Sequence, residues 1–154
     1  MTYIEAPNYV FPAGKKSIFL AGSIQGTVTD WQIEVADALK NFDIVVFNPR
    51  RKNFPIHDPS AAEKQITWEF DMLKRADMIS FWFAKETLAP IVLLEYGRWT
   101  GTQKPIVTGM DPKYPRRQDV EIQTKLIRPE IPITYSMKDF TDAISDMINQ
   151  ILLV

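Results

Sequence analysis

The sequence predicts a single α/β domain built on a parallel β-sheet with helices on both faces. Three observations carry this prediction. Short apolar runs recur along the chain, most of them closed by Gly, Pro or Asn. Stretches with apolar residues at helical spacing lie between those runs, and strict alternation of the two patterns is the signature of a parallel sheet. One run, DMISFWF, is apolar without a break, as a strand covered on both faces requires. At 154 residues the chain is long enough to bury one core and short enough for one domain.

The elements follow in order. Residues 1–16 carry Pro7, Pro12 and Gly14 and show no clear period, so they read as an amino-terminal arm; residues 17–154 form the domain. Ser17 to Ala21 is a buried strand, followed by a loop at Gly22-Ser23. Asp30 caps a helix with Trp31, Val35, Ala38 and Leu39 at helical spacing. Asp43 to Phe47 is the second strand, ended by Asn48-Pro49, and the stretch from Arg50 to Pro59 is too rich in Pro and charge to be regular. Ser60 with Glu63 three residues on has the form of a capping box, opening a helix with Ile66, Phe70, Leu73 and Ala76 as its apolar repeat. Asp77 to Phe83 is the third strand. A helix over about Pro90 to Thr100 leads to a fourth strand, Pro105 to Thr108, and a last helix spans about Met137 to Leu152. There are no internal repeats or low-complexity segments.

Composition excludes several function classes. Eighteen basic residues against 19 acidic ones give a net charge of −1, so no strong field favours a nucleic acid polymer or an anionic membrane. With no cysteine and only one histidine, His57, the chain is a poor candidate for thiolate chemistry, a His-based metal site or a Ser-His-Asp triad. Acid, base or nucleophile must come mainly from Asp, Glu, Tyr or Lys, and no metal site is expected. Met1 to Gly14 lacks the layout of a signal peptide and no apolar run reaches membrane-spanning length; the expectation is a cytoplasmic protein.

In an open parallel sheet, ligands bind beyond the carboxyl ends of the strands. Those ends here are Gly22 to Gly26, Asn48 to Arg51, Ala84 to Pro90 and Gly109 to Arg117. The first loop has glycines that let backbone N–H groups approach a ligand, but it is neither a dinucleotide fingerprint nor a phosphate-binding P-loop. Two carboxylates stand among large apolar neighbours: Glu95 in Leu93-Leu94-Glu95-Tyr96-Gly97, and Glu69 in Trp68-Glu69-Phe70. Each reads either as a cleft carboxylate or as a solvated residue on the outer face of its helix. Asp77 reads first as a helix-to-strand turn residue. Arg50 and Arg51 have the geometry to clamp a phosphate, or to serve a solvated, ion-paired loop. Trp68, Phe81, Trp82 and Trp99 read mainly as core, whereas Phe54, on a loop, is a candidate for stacking on a base.

Taken together and in order, the motifs IFLAGSI, NPRR, QITWE, AD-x-I-x-FWF, ET-x-API-x-LLEYG and KPIVTG resemble the nucleoside 2-deoxyribosyltransferase-like proteins, over about Ser17 to Thr124. The resemblance implies a flavodoxin-like sheet of about five strands, and a homo-oligomer whose active sites are completed by a neighbouring subunit. It implies that Glu95 is the catalytic nucleophile and that Glu69, where the transferases usually carry Asp, engages the leaving base. It further implies substrate contacts from Phe19 and Asp119; Gly22, Ser23, Asn48, Arg50, Arg51, Phe54 and Asp77, singled out from the residues themselves, complete the expected substrate-binding set. Phe19 stands where the family often has a tyrosine, so a hydroxyl is lost. A further carboxylate that contacts the sugar in the transferases has no counterpart, since Ala89 and Pro90 fill that segment; Glu86 and Thr87 are the nearest substitutes. The segment Arg117-Gln118-Asp119-Val120 is similar to the part that reaches into the neighbour's site.

The function so implied is transfer of a 2-deoxyribosyl group between nucleobases through a covalent glycosyl-glutamate, with nucleoside and free base as partners and no cofactor. Two alternatives stand beside it: hydrolysis of nucleoside 5′-monophosphates, which Arg50 and Arg51 would favour, and a non-catalytic nucleotide-sensing module of the same fold.

Overall fold

A computed structural model describes residues 1–154. Six parallel strands form one sheet in the order β1-β3-β2-β4-β5-β6, with β1 at Thr2–Glu5, β2 at Ser17–Gly22, β3 at Val45–Asn48, β4 at Met78–Phe83, β5 at Ile106–Met110 and β6 at Ile133–Thr134. Five helices connect them: α1 (Trp31–Ala38), α2 (Ala61–Arg75), α3 (Pro90–Thr100), α4 (Arg117–Ile127) and α5 (Met137–Leu152). Without the first strand, the order is the flavodoxin-like one.

The alternation along each strand divides the core in two. Phe19 and Ala21 of β2, with Ile79, Phe81 and Phe83 of β4, pack under α2, α3 and α4. Ile18 and Leu20, with Met78 and Trp82, pack under α1 and α5. Helices therefore cover both faces, as the unbroken apolar strands require.

The sheet has six strands where the resemblance implied about five and the residue patterns marked four. One addition lies in the stretch read as an arm: Thr2 to Glu5 pairs with Val45 to Asn48 at the sheet edge, and only Ile4 of these four residues is buried. An edge strand of this length leaves little alternation to read, and the prolines that follow it mask what there is. The other, β6, is two residues long.

The capping box at Ser60 does not form. The Ser60 hydroxyl donates to Asp58 Oδ1 at 2.6 Å, and its N–H binds the same oxygen, so the local Asp58 turn takes the group that would have capped α2. Asp30 does cap α1, accepting from the Ile33 N–H at 3.2 Å. The buried stripe of α2 is Trp68, Met72 and Leu73; Ile66 and Phe70, expected to share it, are exposed. No helix is long and apolar enough to cross a membrane.

Candidate functional site

The chain leaves β2 toward β3 on one side, while β4 pairs on the other, and such a switch opens a crevice beyond the strand ends. A cavity of about 410 Å³ lies there. The loop after β2, Pro49 after β3, the loop after β4 and facing residues of α2 and α3 enclose it.

Gly22 ends β2 with φ +152°, and a Cβ there would collide with the carbonyl oxygen of Trp82 and lie 2.7 Å from Trp31 Cζ2. Only glycine lets β2 pass β4 this closely. Ser23 follows, buried, its hydroxyl accepting the Ala84 N–H at 3.1 Å, which ties the loop after β2 to the end of β4. Phe19 lines the cavity from beneath and packs on Trp68, ring centres 6.0 Å apart. Phe54 stands at the rim, half exposed, with the Arg51 guanidinium 5.2 Å from its ring.

Two carboxylates enter this space, Glu69 from α2 and Glu95 from α3. Burial raises the Glu69 carboxyl above its ordinary range, and a hydrogen bond from Gln65 Nε2, 2.7 Å from Glu69 Oε1, opposes the rise. Burial, with the nearby Glu69 carboxyl adding to it and Arg98 opposing, pushes the Glu95 carboxyl up to about 7. A carboxyl that titrates near neutrality in a largely apolar crevice, beside a second raised carboxyl, has the electrostatics of an acid–base pair. No Lys, Arg or His lines the cavity.

α3 enters the site through Ala89, whose φ of +47° is unusual for a residue other than glycine, and Pro90 follows at the first helical position. Thr87 Oγ1 accepts the Ala89 N–H at 3.2 Å, and both residues line the cavity. Of the two polar residues expected to replace the missing sugar carboxylate, Thr87 is in place and Glu86 is not.

The other expected site residues lie elsewhere. Asn48 is buried, but its side chain accepts the Arg50 N–H at 2.9 Å and donates to the Tyr3 hydroxyl and the Arg50 carbonyl. Arg50 donates to Gln32 Oε1 at 3.0 Å and Thr27 Oγ1 at 2.7 Å and faces Asp30 at 3.5 Å, so its guanidinium holds the loop before α1. Asn48, Arg50 and Arg51 line a separate crevice near β1. Asp77 sits at the amino ends of the strands, away from the cavity, where its Oδ2 accepts the Ser17 N–H at 2.8 Å and hydroxyl at 2.9 Å. Asp119, in the first turn of α4, pairs with Arg116 at 3.0 Å and borders a crevice between α3 and α4.

Gln65 is the participant that sequence reasoning missed, and its signal was position: four residues before Glu69, it shares the same helical face. No group of three or more His, Cys, Asp or Glu side chains is gathered to hold a metal ion. Residues 15–114 match a family model described as nucleoside 2-deoxyribosyltransferase like. No curated protein matches the chain.

Proposed function

Because the chain belongs to the nucleoside 2-deoxyribosyltransferase-like family, we propose that it transfers a 2-deoxyribosyl group between nucleobases through a glycosyl ester on Glu95. The observation that carries this reading is the pair Glu69 and Glu95 in one cavity, with Glu95 pushed up to about 7.

The chemistry follows from the charges. Breaking the C1′–N bond sends its electron pair to the base nitrogen and builds positive charge on the sugar, as in glycoside hydrolysis. Burial favours a proton on Glu69, and in the reactive form of the pair that proton passes to the base nitrogen. The Glu95 carboxylate bonds to C1′ and divides one hard step into two. An incoming base then attacks C1′, returns its N–H proton to Glu69 and releases Glu95. Phe54 supplies an aromatic face for the base at the rim.

The lack of a basic side chain on the cavity supports a neutral nucleoside over a 5′-monophosphate. One observation favours the monophosphate hydrolase instead: the first turn of α3 has no capping side chain and no acidic residue, leaving backbone N–H groups for an anion. We further propose a homo-oligomer in which Asp119 serves a neighbour's site, since Asp119 does not line the cavity of its own chain.

Incubating the protein with a deoxynucleoside and a second free base, then with a deoxynucleoside 5′-monophosphate, tests the proposal. A new nucleoside is the expected product. Free base alone, released only from the monophosphate, would establish the hydrolase, and no turnover of either would leave a sensing module.

A further inference from the structure

Gln65 makes an uneconomical set of hydrogen bonds. Its amide nitrogen donates to the Pro49 carbonyl at 2.8 Å and to Glu69 Oε1 at 2.7 Å. The Pro49 carbonyl can only accept, which fixes the orientation of the amide. The Gln65 carbonyl oxygen is then left closed off from solvent with no donor. A glutamine placed only for packing would not give up its acceptor in this way, since an unpartnered buried oxygen is costly.

From this geometry we infer that Gln65 is a positioning residue for proton transfer, reserving Glu69 Oε1 as a hydrogen-bond acceptor so that the mobile proton resides on Oε2. The inference rests on the assignment of Glu69 as acid and base. With Oε1 already accepting an amide N–H, a proton on that oxygen would face the donor. Oε2, which has no protein partner, is the oxygen left to exchange a proton with the base. As the C1′–N bond breaks, the electron pair passes to the base nitrogen, the Oε2 proton joins it, and Glu69 becomes a carboxylate. The Gln65 N–H bond then strengthens, because its acceptor has become an anion. The Pro49 carbonyl holds the amide in place during this change and ties the end of β3 to the helix that carries the acid.

Gln65→Leu, which removes the donor at similar volume, tests the inference through the leaving group. A purine or pyrimidine deoxynucleoside needs the proton; a p-nitrophenyl 2-deoxyriboside has a leaving group acidic enough to depart without it. With Q65L, the nucleoside rate should fall roughly 10- to 100-fold, a part of the usual general-acid effect, with KM within about twofold. The nitrophenyl rate should stay near that of the unaltered protein, and the basic limb of the nucleoside pH profile should move to higher pH, because Glu69 loses a bond that favours its anion. An equal fall on both substrates, or a basic limb that does not move, overturns the inference. Glu69→Gln run alongside separates the two claims. If E69Q still turns over the nucleoside normally, the acid–base assignment itself fails; if E69Q is inactive and Q65L behaves as the unaltered protein, only the role of Gln65 fails. Gln65→Met carries the same comparison should Q65L not fold.

Discussion

Glu69 on α2 and Glu95 on α3 share one cavity, and the charge on Glu69 helps to hold the Glu95 proton in place. The two carboxyls therefore titrate as a pair.

The first prediction concerns that pair. The proposed reaction needs Glu95 ionised and a proton on Glu69, so kcat/KM should follow a bell-shaped pH profile with one limb near 7. Glu69→Gln removes the neighbouring charge and should move this limb to lower pH. The same change should reduce nucleoside turnover by roughly 10²–10⁴-fold, the usual scale for a general acid. A limb near 7 that stays in place in E69Q would show that the two carboxyls do not interact.

Stability should respond to the same ionisation. The folded carboxyl of Glu95 is raised from about 4.5 to about 7, so folding favours its protonated form. Below the lower value both states are protonated and nothing is lost; between the two the unaltered protein loses stability as pH rises, and above the higher value the loss is complete. Glu95→Gln removes the ionisation. It should unfold at higher denaturant than the unaltered protein at pH 9, by up to about 3 kcal/mol, with the gain gone by pH 4. Paired urea titrations at the two pH values check this.

Glu95→Gln should nevertheless lose turnover, since an amide has the shape but neither the charge nor the nucleophilicity. A substrate slowed by an electron-withdrawing group at the sugar 2-position should leave one sugar on Glu95, which peptide mass mapping would locate. An adduct on any other residue would refute the nucleophile assignment.

Association has its own test. Leu94, next to Glu95, is 61% exposed, and Ile66 and Ile91 at the cavity are 66% and 61% exposed. Leu94→Asp should leave the fold intact, because little is buried there, while light scattering should show loss of the oligomer and the exchange assay loss of rate. A monomeric parent with full activity would contradict the shared site.

Gly22→Ala should disturb the fold itself. The added methyl meets the Trp82 backbone and the Trp31 ring, neither of which can yield without moving β2 from β4. A loss of roughly 2–4 kcal/mol in thermal or urea unfolding is expected.

The central strands were legible because β2, β4 and β5 are buried along their whole length and their sequences are mostly apolar, with Ser17, Ser80 and Thr108 the polar exceptions. Glu69 and Glu95 stood out as carboxylates among large apolar residues, a pattern that left a cleft and a solvated helix face both open until the fold placed them at the cavity. α4 was not foreseen as a helix, because only Val120 and Thr124 of its residues are buried and the pattern is mostly polar. Arg50 and Asn48 belong to the right loop, yet their side chains turn toward Gln32, Thr27 and Tyr3. Which way a loop side chain turns depends on partners far away in sequence, and neither composition nor spacing records that. The role of Gln65 was hidden for the same reason, since half of it depends on the carbonyl of Pro49.

The amino-terminal strand links α2 to one edge of the sheet. β1 pairs on one side only, with β3, and the residues after it reach over α2, where the Asn8 carbonyl accepts the Trp68 indole N–H at 2.8 Å and the Tyr9 hydroxyl donates to Asp71 at 3.0 Å. Trp68 immediately precedes Glu69. Edge strands fray before central ones, so an opening of β1 that carried Asn8 and Tyr9 with it would release two restraints on the helix that bears Glu69. Slow amide exchange in β1 would then go with an ordered α2.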